Sequence, residues 1–192
     1  MNIAGHVTVF ISIIIGIAVA DLLMSFHKLL RARHKVQWHW LPLTVALFAL
    51  LLTVAYWWQA FAWYEDASRL SVASFLPDLA RFVVLFLLVA ASLPDDVPEK
   101  GIDLGAWYWE HARLYWTLAL ISLLLDIVVG GLREADPGAG VANILRAKLN
   151  DLILLPFIAA MIIVRRPWYH SAFILLGLGN MAWVTVSIAL SP

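Results

Sequence analysis

The feature that most constrains this chain is a series of apolar runs, each about as long as a bilayer is thick. The first extends from Val7 to Leu30 and contains a single acid, Asp21. A hydrocarbon core about 30 Å thick needs roughly 20 helical residues to cross it. Six segments meet that length: about 6–30, 38–61, 73–93, 112–132, 144–164 and 168–190. Backbone amides in lipid must be satisfied within the segment, which selects helices. The runs are too uniformly apolar for the alternating strands of a membrane barrel. The expectation is an all-α, polytopic integral membrane protein: one domain over 1–192, a bundle of six transmembrane helices.

Composition points the same way. Hydrophobic residues make up 63% of the 192 and charged residues 14%, against roughly 25% charged in a soluble domain. Mean hydropathy is +0.87. A chain so poor in polar groups needs lipid as solvent, and the bilayer is its first predicted partner. The 13 basic and 13 acidic residues balance, leaving no positive excess for a nucleic acid. With no cysteine, disulfides, iron–sulfur clusters and Cys-based zinc sites are excluded.

Basic residues set the expected orientation. Lys28, Arg31, Arg33, Lys35, Lys100, Arg113, Arg165 and Arg166 fall on one side, against Arg69, Arg133, Arg146 and Lys148 on the other. The richer side is predicted to be cytoplasmic, with both termini outside and a bacterial inner membrane as the location. The basic cluster follows the first run instead of preceding it, so the run reads as a retained span and not as a cleaved signal peptide. Tryptophans at 38, 40, 107, 109 and 168, and at 57, 58 and 63, read as interfacial belts. Two connectors are longer than the rest: Leu93–Gly105, punctuated by Pro and Gly, and Arg133–Gly140, where Asp136-Pro137-Gly138 favours a turn. Neither holds a soluble domain. The run Thr117–Asp126 echoes the approach to Asp21, and a 3+3 duplication over 1–93 and 112–192 would be inverted.

Ionisable groups within a span cost at least about 2.5–3.5 kcal/mol on insertion scales and call for an explanation. At 1.5 Å per residue, Asp21 lies about 12 Å from the cytoplasmic boundary. Arg81, Asp126 and Asp151 share a level at about 18–21 Å, on three different spans. Asp78 is one helical turn from Arg81, and Asn150 and Asn180 are near enough to join. Two readings stand: a proton- or cation-handling site open to the outside, or a buried salt-bridge network. Three aspartates against one arginine leave the group acidic by two charges. In span 1, Asp21, Ser25 and Lys28 share one side, and Gly5, Thr8, Ser12, Gly16 and Ala20 form a small-residue stripe on another. Both sides call for protein contact, so span 1 is expected at the centre, with Asp21 facing a pathway or pairing with Lys28. Pro42 and Pro77 suit a first turn, and Pro156 predicts a kink in span 5.

Four histidines, His27, His39, His111 and His170, gather at the cytoplasmic ends of spans. Histidine is the usual haem and metal ligand, yet no metal-site spacing is present. No cofactor is predicted, with haem as an alternative. Glu110-His111 beside Trp109 is the candidate for a headgroup or small-molecule contact. Nucleophile elbows and phosphate-cradling loops are missing.

Three functions remain. The first is a small transporter or channel for protons, a cation or a small solute, using intramembrane carboxylates. The second is a non-catalytic accessory subunit, assembly factor or sensor partner; whichever holds, a second copy of the chain or a larger membrane complex is the further partner expected beside the bilayer. The third is a haem-binding or lipid-modifying enzyme. The balance is against an enzyme.

Overall fold

The computed structural model describes residues 3–64, 71–131, 143, 145–146 and 148–190. Six main helices account for most of them: α1 (Ile3–Arg31), α2 (Trp40–Trp63), α3 (Val72–Ala90), α4 (Leu104–Leu125), α5 (Leu149–Ile163) and α6 (Pro167–Leu190). Gly5–Arg31, Trp40–Ala60 and Leu104–Gly130 are long and apolar enough to cross a membrane. The expected turn Arg133–Gly140 lies outside the described residues.

α1 buries the stripe Ile11, Ile15, Ala18, Leu22, Ser25 and Leu29, spaced three and four apart as one face of a helix requires. That face packs on α3 and α2. Among the described residues α1 makes no extensive contact with α4, α5 or α6, so it is a flanking helix and not the central one. The small-residue stripe is not the packed face: Gly5, Gly16 and Ala20 are exposed, and a Cβ on Gly16 would meet nothing within 4 Å. Ser12 of the stripe does engage α2, accepting from Trp57 Nε1 at 3.1 Å. Branched aliphatics on the neighbouring face supply more contact area, and they won the interface.

Three apolar clusters hold the bundle. Ile11, Ile15, Ala60, Tyr64 and Phe82 join α1, α2 and α3 at one end. Ala18, Leu22 and Leu29 meet Ala46, Ala49, Val89 and Leu104 toward the other end. The largest cluster sets Val45, Leu88, Tyr115, Trp116, Met161 and Ile174 between α2, α3, α4, α5 and α6. α5 lies along α4 and α6 against α2. Among the described residues α5 and α6 have no extensive contact with each other.

The end rich in Lys and Arg carries a small cap. After α1, a turn at Arg33–Lys35 leads into Val36–Gln37, which pairs in parallel with Ile102–Asp103. Gly101 enters that pairing at φ 87°, and a Cβ there would lie 2.5 Å from the Lys35 carbonyl oxygen. Only glycine fits such a position. Asp103 then caps α4, its carboxylate accepting from the Gly105 and Ala106 amides. The cap starts α4 at Leu104 rather than near 112, and the Trp107–His111 stretch becomes helix. Lys28 closes the cap from α1, ion-paired to Asp96 at 3.0 Å and donating to the Asp95 carbonyl at 2.8 Å.

Two prolines lie inside helices. Pro156 sits within α5 as expected. Pro77, expected in a first turn, falls inside α3, beyond the first turn of a helix that starts at Val72.

Candidate functional site

At the end of the bundle opposite the basic cap, charges from three helices meet. α3 supplies Asp78 and Arg81, both buried. Asp78 Oδ2 accepts from the Tyr64 hydroxyl at 2.6 Å, and its Oδ1 faces Arg81 Nη1 at 3.6 Å. Arg81 Nη2 donates to Asp126 of α4. The guanidinium carbon sits 4.7 Å from the Trp63 ring centroid and 5.2 Å from that of Tyr56. Arg81 Nε has no hydrogen-bond acceptor among the described residues. The aromatic faces provide electrostatic compensation where oxygen acceptors are missing.

Asp126 stands where α4 changes character. Beyond Leu125 the helix widens into a π turn, Asp126–Gly130, and such single turns recur at functional sites. The second oxygen of Asp126 lies 3.8 Å from Lys148 Nζ. The same ammonium lies 3.8 Å from Asp151 of α5. The chain Asp78–Arg81–Asp126–Lys148–Asp151 thus alternates in sign along its length. Lys148 is buried and not an exposed loop residue, so these described groups carry one net negative charge where the sequence suggested two. Its position one turn ahead of Asp151 was the signal that could have found it.

Beside this chain a cavity of about 530 Å³ opens between α2, α4, α5 and α6. Its far end is lined by Tyr56, Asp126, Asp151 and Asn180; toward the middle of the bundle its walls are apolar, with Phe48, Leu52, Tyr115, Trp116, Phe157 and Phe173 among them. Arg81 and Lys148 do not line it. The volume falls in the range of small-molecule sites, about 300–1,000 Å³. The lined stretch of α4, Tyr115 to Asp126, rises about 16 Å.

Other predicted residues fall elsewhere. Asp21 is partly exposed and Ser25 buried on α1, which does not contribute to the cavity. Lys28 is engaged with Asp96 and not with Asp21. Asn150 is exposed beside Asp151. The histidines do not form one group. His27 is exposed. His39 Nδ1 accepts from the Leu41 amide at 3.2 Å, capping α2. His111 stacks on Trp107 at 4.6 Å, its Nδ1 bonded to the Trp107 carbonyl, with exposed Glu110 beside it. His170 is fully buried. Its Nε2 donates to the Val164 carbonyl at 2.7 Å. Its Nδ1 therefore accepts from the Tyr108 hydroxyl at 2.6 Å, and that oxygen accepts from Trp116 Nε1 at 2.9 Å. With both ring nitrogens engaged, His170 is a structural residue joining α6 to α4, not an open ligand. No cluster of three or more His, Asp or Glu suited to a metal ion occurs among the described residues.

Compared with family models, curated proteins and solved structures, the chain matches none of them.

Proposed function

We propose that this protein is a small transporter of the bacterial inner membrane, six-spanning with both termini outside, that passes a small solute through the cleft between α2, α4, α5 and α6. The observation that carries this reading is the cavity itself: two intramembrane carboxylates, Asp126 and Asp151, line a space large enough for a solute. Ionisable groups inside a span are costly and are found facing the bundle interior, where they mark substrate and ion pathways. The chain Asp78–Arg81–Asp126–Lys148 offers a way to exchange partners without stranding a charge, since a solute cation displacing Lys148 from Asp151 leaves the ammonium still facing Asp126.

Flux of candidate cations and small amines into liposomes holding the purified protein tests this. Asp151→Asn and Asp126→Asn are expected to lower flux about tenfold or more. Asp21→Asn, on a helix outside the cleft, is expected to leave it nearly unchanged. Equal flux from wild type and both cleft variants would remove the proposal.

A second reading, an accessory subunit of a larger membrane complex, draws on a different observation. α1 presents a broad apolar face, with Val9, Ile13 and Ile17 more than half exposed, and Asp21 stands partly exposed beside it. Co-purification of a stoichiometric partner that is lost on Asp21→Asn would favour this reading over transport.

A further inference from the structure

We infer that the solute of the cleft is an amphiphilic cation, a single hydrocarbon or aryl tail carrying an ammonium-type head, taken sideways from the lipid between α5 and α6. This rests on the reading of the cleft as a solute site and names its ligand class.

The first support is how the cleft is closed. On the α2–α6 side, Gly177 lets the two helices meet around the Phe48 ring: a Cβ there would lie 2.8 Å from Phe48 Cε2. On the α4–α5 side the two helices pack along their lengths. Between α5 and α6 the helices do not pack along their lengths among the described residues; the Tyr169 hydroxyl, donating to the Phe157 carbonyl at 3.1 Å, crosses the gap on the side of the basic end. The lips of that gap, Leu154, Phe157 and Leu176, are 41%, 48% and 74% exposed while also lining the cavity. In a bilayer these side chains face hydrocarbon, so the entrance is reached from lipid. An ion with its hydration shell has no route through such an entrance without losing its water; an amphiphile enters with its tail already solvated.

The second support is polarity along the cleft. Tyr115, Trp116 and Phe173 line its inner part, and Tyr56, Asp126, Asp151 and Asn180 its far end. The gradient runs from apolar near the middle of the bundle to polar near the interface. A lipid-like molecule in the adjoining leaflet has the same orientation, tail toward the midplane and head toward the interface.

The third support is sign. Of the charged groups in the network, the two that line the cavity are both acids, and the cations Arg81 and Lys148 stand behind them. The aromatic rings near the carboxylates suit an ammonium as well. An anionic head would meet carboxylate oxygens first.

The test uses a dodecylammonium probe with a diazirine near the end of its chain, and the matching dodecanol probe, on the purified protein in lipid nanodiscs without any gradient. Photolabelling mapped by mass spectrometry is expected to concentrate the ammonium probe on the cleft stretches of α4, α5 and α6 at 115–123, 154–158 and 173–177. The alcohol is expected to label them about tenfold less. Asp151→Asn is expected to lower ammonium labelling to the level of the alcohol. Ala119→Phe, which fills the cavity and leaves the charges in place, is expected to remove labelling by both probes. Equal labelling by the two probes, or adducts spread over outward positions such as Ile13 and Ile163, would overturn the inference. Cleft labelling without flux would remove transport and leave the site standing. Flux of a small cation without cleft labelling would do the reverse.

Discussion

Arg81 shows how one residue ties three helices together. It bonds Asp126 of α4, faces Asp78 of its own helix and is flanked by rings from α2. Removing one partner of a buried ion pair costs more than the pair contributes, because the other charge is left uncompensated. Arg81→Ala is therefore expected to lower stability by about 3–5 kcal/mol, read as a fall in unfolding temperature in detergent. Arg81→Lys is expected to recover only part of that loss, since an ammonium lacks the planar fork that spans two carboxylates. A second residue with similar leverage is Tyr108, whose hydroxyl both donates to His170 and accepts from Trp116. Tyr108→Phe leaves an indole N–H and an imidazole nitrogen buried without partners, a cost of about 1–3 kcal/mol for such a group. Denaturation followed by tryptophan fluorescence checks it.

At the scale of elements, the basic-end cap decides where helices begin. The parallel pairing of Val36 with Ile102 and Gln37 with Asp103 joins the α1–α2 and α3–α4 connectors. Gly101 makes the approach possible, and Gly101→Ala places a methyl against the Lys35 carbonyl at a φ that L residues resist. That substitution is expected to cost about 1 kcal/mol or more and to raise amide exchange across the cap without altering the polar chain at the other end. The π turn after Leu125 matters at the same scale. It places Asp126 at the edge of a widened helix, where the carboxylate reaches Arg81 on one side and lines the cleft on the other.

For the whole molecule, the six-span topology we propose has a direct test because the chain has no cysteine. Single-cysteine variants Lys100→Cys and Arg146→Cys are expected to react with an impermeant maleimide from opposite faces of the membrane, Lys100→Cys from the cytoplasmic face. Labelling of both from one face would contradict the proposed orientation. The arrangement also separates two tasks. α1, α2 and α3 form a packed group sharing two apolar clusters. α5 and α6 lean on α4 and α2 and leave the cleft between them. Loose packing there suits a site that must admit a ligand, since binding elements are drawn from the less stable parts of a fold.

Much of this architecture was legible from residues. The long apolar runs required helices because lipid offers no partner to a bare amide, and the grouping of Arg81, Asp126 and Asp151 at one depth followed from helical rise alone. The Asp126–Arg81 contact could be anticipated that way, as could Pro156 inside its helix. What depth could not give was the direction in which each helix faces. The face that packs depends on contact area against neighbours, so α1 turned its aliphatic stripe inward and left Gly16 outside. Lys148 counted only toward orientation until α5 and α4 brought it between two aspartates. His170 looked like a possible ligand until Tyr108 and Val164 were seen to occupy both of its nitrogens. The helices and the relative levels of their charges could be read along the chain, because they depend on apolar run length and a fixed rise per residue. Which charges meet, which helix lies at the flank and where the cleft opens came from the fold, because they depend on rotation and packing between segments distant in the chain.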